Sequence, residues 1–237
     1  NVRLVNVTVS AVGDAQPFFV PDEVVAAVSP RVFFGEVAFD DVSVRNGAVR
    51  FGRRADGTSN LPESSGTGGA DPAPLPIARI DAPRLAVEYR DESADVAIRL
   101  PARTVDLSAR GRIGLETPAE LSLGSTSTRI ETLESDAAFD GRDLRLSGLL
   151  LVAPELRARV DGTLALIRQR PSIDVRVSGD TELQNAAKWW GQTDDAIRGG
   201  VHLEGTVTGP LGEPSANLQI TSDRVSWQRL DIVNLSG

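Results

Sequence analysis

The sequence predicts an all-β protein whose strands build a sheet with one apolar and one polar face. Three observations carry that expectation. Apolar and polar residues alternate with period two along most of the chain. Turn residues interrupt the alternation at roughly the 8–12-residue spacing of antiparallel meanders. A helical period surfaces in only two short stretches. Residues 201–220, VHLEGTVTGPLGEPSANLQI, show the pattern most plainly. Val201, Leu203 and Val207 fall on one face, and His202, Glu204, Thr206 and Thr208 on the other. After the turn GPLGEP, the apolar alternation resumes at Ala216, Leu218 and Ile220.

Three parts are expected: a strand, helix and hairpin over 1–62, a flexible loop over 63–76, and a repetitive sheet over 77–237. Residues 1–12, NVRLVNVTVSAV, read as a strand with Val5, Val7 and Val9 on one side. Asp22 and Glu23 open a helix, DEVVAAV at 22–28, placed between Pro21 and Pro30. At two turns it survives only if it packs on something. Residues 32–51 read as two strands joined by Asn46-Gly47, the strongest short-range hairpin signal. ESSGTGGADPAPLP at 63–76 is rich in Gly, Ser and Pro and reads as a flexible excursion.

Beyond it, strand pieces flank Pro83, and Leu85, Val87 and Tyr89 alternate. Val96, Ile98 and Leu100 make a strand that Pro101 ends. The pairs Val105 and Leu107, Ile113 and Leu115, and Leu121 and Leu123 continue the pattern. A turn at Asp140-Gly141 precedes alternation at Leu144 and Leu146. Leu156, Ala158, Val160, Leu164 and Leu166 mark the next strand, and Ile173, Val175 and Val177 another that ends at Gly179. TELQNAAKWW at 181–190 is the second expected helix, capped by Asp180 or Thr181, with Leu183, Ala187 and Trp190 on one face. A degenerate unit recurs as VDGTLAL at 160–166 and LEGTVTG at 203–209.

Composition excludes several classes of function. A formal net charge of −8 argues against a nucleic-acid binder and against adhesion to an anionic membrane surface. The chain has no cysteine, hence no disulfide framework, thiolate metal site or cysteine nucleophile. It has no methionine and begins with Asn1, as expected of an excised or processed segment. No run is long and apolar enough to span a bilayer as a helix, so any membrane anchor is expected outside this segment. His202 is the one histidine and lies on a polar strand face, where a surface role is expected. Gly205, Gly209 and Gly212 read as turn glycines around a hairpin. Trp189-Trp190 is expected to pack a short helix against a sheet end, with sugar or lipid contact as the sharper alternative. Asp56 is expected to form a turn with Gly57, with cation binding as its alternative. No GxSxG elbow, phosphate loop or paired carboxylates stand out, so catalysis and a cofactor are not expected.

Two stretches resemble the AsmA-like family, in particular its TamB type. One is RRADGTSNLP at 53–62, which is similar to the family's "strand, charged residue, D-G-x-x-N-L-P" signature. The other, 180–220, holds LEGTVTGPLGEP and is similar to repeated G-x-V-x-G-x-L-x-x-P hairpins. Residues 142–166 also fit the family's strand pairs. The chain departs from the pattern at Ser59, where an aromatic is common, and in the length of the insertion after Pro62.

The resemblance implies a long curved sheet folded lengthwise into an apolar-lined groove, a β-taco. It implies a periplasmic protein anchored in the inner membrane and linked to phospholipid movement and outer-membrane protein assembly. The expected partners are phospholipid acyl chains and an outer-membrane assembly protein of the Omp85 type, with no nucleic acid. The expected groove wall is Leu85, Val87, Val96, Ile98, Leu144, Leu146, Leu164, Leu166, Ile173, Val175, Val177, Val201, Leu203, Val207, Leu218 and Ile220. Burying a roughly 16-carbon chain there would yield on the order of 10 kcal/mol without any polar contact. The alternatives are a chaperone or scaffold for outer-membrane strands and a closed β-sandwich binding module, whose inner faces would show the same alternation.

Overall fold

The structure, a computed structural model, describes residues 1–10, 17–56, 58, 60, 73–92, 95–115, 119–123, 126–154, 156–168, 170–185, 197–211, 214–227 and 230–236. Most of them, 72%, belong to one long, curved, open and mainly antiparallel sheet of seventeen strands. The sheet does not close, which sets aside a closed sandwich.

The strand order follows the chain. β1 (Val2–Val5) pairs with β2 (Phe19–Val28), and β2 with β3 (Phe39–Arg53). β3 then runs parallel to β4 (Ile80–Asp81) and β5 (Leu85–Asp91), two pieces interrupted at Ala82, Pro83 and Arg84. The segment between β3 and β4 thus connects adjacent strands; residues 61–72 of it lie outside the described residues. From β5 onward every neighbour is antiparallel. β6 (Val96–Leu107) is long, and β7 (Gly111–Leu115) and β8 (Ala119–Leu123) lie end to end along it. β9 (Thr126–Ile130) and β10 (Thr132–Phe139) lie end to end along those in turn. A meander follows through β11 (Asp143–Ala153), β12 (Leu156–Ala165) and β13 (Ser172–Glu182). β14 (Ile197–Arg198) is a short piece against the end of β16 (Ser215–Trp227). β15 (Gly200–Pro210) joins β13 to β16, and β17 (Leu230–Ser236) lies outermost.

The expected helix at 22–28 is a strand. Its Val24, Ala26 and Val28 alternate as readily as they cluster, and β-branched valines suit the pleat. Two flanking strands supply backbone partners that an isolated two-turn helix lacks. Glu23 also forms ion pairs with Arg3 on β1 and Arg45 on β3, at 3.5 Å for Arg45. The expected hairpin at Asn46-Gly47 is likewise absent, because β3 runs straight through both residues. Their φ values of 45° and 140° produce a local flip instead of a reversal. Phe19 and Val49 on one side of it, and Val24, Val42 and Val44 on the other, reach the same cluster although their parity differs. Gly47 faces fully buried Pro21, and a Cβ there would fall 2.8 Å from the Pro21 Cα. The expected strand start at Val32 is a 3-10 turn, Pro30–Phe34.

The first strand is also shorter than expected. It ends at Val5, where Asn6 takes φ 55°, and Val9 forms only an isolated bridge to Phe19. β6 passes through Pro101, which falls where its neighbour changes from β8 to β7; a missing N–H matters least at such a break. β13 runs past Gly179 to Glu182, so Asp180 and Thr181 are strand residues and do not cap a helix. Residues 183–185 are helical, and the remainder of the expected second helix, with Trp189 and Trp190, lies outside the described residues.

The buried core lies in the middle of the sheet. One cluster joins Val44, Ala82, Leu85 and Val105. The other joins Ala137, Phe139, Leu144 and Leu146, and Leu107 packs against both.

Candidate functional site

The register of the central strands aligns the apolar positions into rows across the sheet. Leu144 lies opposite Leu164, Leu164 opposite Ile173, and Ile173 opposite Gly209. The next row runs Leu146, Gly162, Val175, Val207 and Ala216. Beyond it come Leu149, Val160, Val177, Gly205 and Leu218, and then Leu151, Ala158, Gly179, Leu203 and Ile220. Directly opposed residues share a face. The expected wall residues of β11 to β16 therefore stand on one continuous surface.

Toward the N-terminal half, Val87 pairs with Leu100 on β6 and Val49 on β3, while Ile98 pairs with Tyr89 and Leu121. Val96 is paired with Asp91, so an acidic side chain enters the row at that end. Asp91 is buried and takes a hydrogen bond from the Tyr89 hydroxyl at 3.4 Å. Burial, with Asp91 nearby, raises the Tyr89 pKa, so the phenol stays protonated and able to donate.

Exposure varies across this surface. Leu85, Leu144, Leu146, Val175 and Val201 are buried. Val87, Val96, Ile98, Leu164, Leu166, Ile173, Val177, Leu203 and Val207 are half-buried. Leu218 and Ile220 stand 47% and 41% exposed on β16. The apolar face is thus buried or half-buried from β11 to β15 and exposed at Leu218 and Ile220 on β16, while Val201 on β15 and Ser222 on β16 are buried again at the other end of the strands. At that end of the strands, a cavity of about 530 Å3 is lined by Ala153, Leu156, Val201 and Ser222 together with Asp180 and His202.

Two devices shape the surface, and both were misread or missed in the alternation. The first is a β-bulge in β11. Apolar parity switches there from Leu144 and Leu146 to Leu149 and Leu151, yet all four face the groove because the register shifts between Leu146 and Leu149. Gly148 adopts φ 63°, and its N–H donates to the Asp161 carboxylate at 2.6 Å, fastening the bulge to β12. Gly148 inside a strand pattern is the signal that could have revealed it. The second is the glycine of the recurring unit. Gly205 is not a turn residue but sits mid-strand on β15, as Gly162 does on β12. A Cβ at Gly205 would lie 2.1 Å from the Asn217 carbonyl oxygen, and one at Gly162 2.3 Å from that of Asp174. Such close backbone approach marks a tight bend, and it lies on the apolar side, where a curved sheet needs room.

The opposite face is a lattice of charge. Arg50, Glu88, Arg99 and Glu120 lie opposite one another on β3, β5, β6 and β8. Glu88 holds Arg50 at 3.0 Å and Arg99 at 3.5 Å. His202 Nδ1 lies 2.8 Å from the carboxylate of Asp180, its cross-strand partner, and both are exposed. Exposed pairs of this kind contribute about 0–1 kcal/mol each and orient the face toward water. The D-G-x-x-N signature is structural on its described residues. Asp56 accepts from the Thr58 hydroxyl at 2.6 Å and its N–H at 2.9 Å, and these bonds hold its carboxyl below the usual range. Asn60 reaches back to β3, accepting from the Gly52 N–H at 2.7 Å and donating to the Arg50 carbonyl at 2.9 Å. Among the described residues, no group of acidic residues and histidine is placed to hold a metal ion.

No protein-family model, no curated protein and no solved structure matches this chain.

Proposed function

We propose that this chain is a segment of a periplasm-spanning, inner-membrane-anchored protein that shields phospholipid acyl chains in its groove during transport between the inner and outer membranes. The observation that carries the reading is the continuous apolar face with its exposed stretch on β16. One continuous surface runs from a sealed core at Leu144 and Leu146 to open positions at Leu218 and Ile220, in a sheet that does not close. A core serves stability and needs no open margin. A path for acyl chains needs both a folded base and an uncovered wall. The aliphatic lining suits a ligand held by burial alone, at about 0.8 kcal/mol per methylene. The resemblance to the AsmA-like family, carried by 53–62 and 180–220, points to the same cargo and to the periplasm.

The test is uptake of a fluorescent fatty acid by the chain and by Val207→Asp. Val207 is half-buried and faces Val175 and Ala216. A carboxylate there desolvates against the cargo and should weaken uptake by about tenfold or more. Unchanged uptake in a folded variant contradicts the reading. Capture of extended polypeptide by the same face, in place of lipid, would favour a chaperone for outer-membrane strands.

A further inference from the structure

Four large apolar side chains stand in the open within six residues. Val32, Phe33, Phe34 and Val37 are 40%, 87%, 88% and 67% exposed. They occupy the 3-10 turn Pro30–Phe34 and the segment leading into β3. An ordered backbone presents them. The Val32 N–H donates to the Ser29 carbonyl at 3.1 Å, the Gly35 N–H to Val32 at 3.1 Å, and the Glu36 N–H to Arg31 at 3.3 Å. Gly35 closes the turn at φ 84°, and the Ser29 N–H reaches the Ala38 carbonyl at 2.9 Å across its base.

The turn stands on one long edge of the sheet, where strand ends line up. Phe39, just beyond it, bridges to Ile77, and Ile80 pairs with Leu107. Phe139 lies opposite Leu144, and that row continues through Leu164 to Ile173. All of these residues sit at the same end of their strands as the turn.

We propose that Phe33 and Phe34 insert into the surface of a zwitterionic phospholipid bilayer and set this edge of the sheet against it. The purpose of the contact rests on the conduit reading; the contact itself rests on exposure and geometry. Two phenyl rings on a convex tip, with Val32 and Val37 beside them, match the aromatic and aliphatic groups that settle at a membrane interface. Charge selects the lipid. Arg31 and Glu36 flank the tip and cancel, while the whole chain carries −8, so an anionic surface repels it and a neutral one does not.

The test is flotation of the 237-residue chain with phosphatidylcholine vesicles, alongside the double variant Phe33→Ser/Phe34→Ser. Both rings are exposed, so the variant should keep the wild-type circular dichroism and urea midpoint. Wild type should float, the double variant should float about tenfold less, and phosphatidylserine in the vesicles should weaken wild-type binding. Equal flotation of the two proteins overturns the proposal, as does absence of flotation by wild type. So does a wild-type dimer that the double variant dissolves without changing vesicle binding. The fatty-acid assay separates the two readings. A double variant that takes up the probe normally while floating poorly supports insertion; one that floats normally ends the insertion proposal and leaves the conduit standing. Unimpaired uptake by Val207→Asp ends the conduit and leaves insertion to be judged by flotation.

Discussion

Truncating one aliphatic side chain at a buried position and one at an exposed position of the apolar face separates core from open wall. Leu144 is 7% exposed and packs with Ala137, Phe139 and Leu146. Leu144→Ala removes nearly all of a buried isobutyl group. At about 0.8 kcal/mol per methylene the transfer loss is roughly 2.5 kcal/mol, and the unfilled space brings the total to about 3 kcal/mol. Ile220→Ala removes a side chain from a position that is 41% exposed, with no enclosing layer to leave empty. The same arithmetic, scaled by burial, gives about 1.5 kcal/mol. Urea denaturation followed by circular dichroism reads both. A cost near 3 kcal/mol at both sites would mean that β16 is covered in solution, and the open-wall argument would fail. A cost below about 1 kcal/mol for Leu144→Ala would show that the core lies elsewhere.

Gly205→Ala should destabilise the fold by roughly 1–3 kcal/mol, since the new Cβ lies 2.1 Å from the Asn217 carbonyl oxygen; a neutral result by the same denaturation assay would refute the close approach of β15 and β16. Asp140→Asn should be less stable than wild type at pH 7. The N–H groups of Asp143 and Arg142, at 2.8 and 3.0 Å, hold the Asp140 carboxyl below the usual 3.8. A depressed folded pKa contributes stability above the unfolded value and loses it as pH falls through the folded one. The gap in urea midpoint should therefore close as pH falls below the usual 3.8, and a gap that persists in strong acid would contradict this origin.

The sheet's grammar was most legible where alternation meets an unbroken ladder. From β12 to β15 the register matches the sequence pattern position by position, because one buried face fixes it and a one-residue slip would expose every apolar group. Legibility failed where tertiary pairing overrode a local signal. DEVVAAV carries helix punctuation, and Asn46-Gly47 carries a hairpin signal. Their strands nonetheless align along each other around Pro21, and the two irregularities absorb one another. The groove was legible only in part. Alternation identified Leu144 and Leu146 but not Leu149 and Leu151, since a bulge exchanges parity without changing face. The exposure of Leu218 and Ile220 was not legible, because it depends on what surrounds each position and not on the row's composition. Phe33 and Phe34 look like the start of a buried strand in sequence, and only the fold places them outside.

The most direct measurement is photo-crosslinking in cells from Leu203 and, separately, from His202. The two residues are adjacent on β15 and face opposite sides of the sheet: Leu203 is in the apolar row opposite Ile220, and His202 is beside Asp180 on the charged face. Capture of phospholipid from Leu203 and not from His202 is the predicted result. Equal capture from both, or none from Leu203, would contradict the conduit.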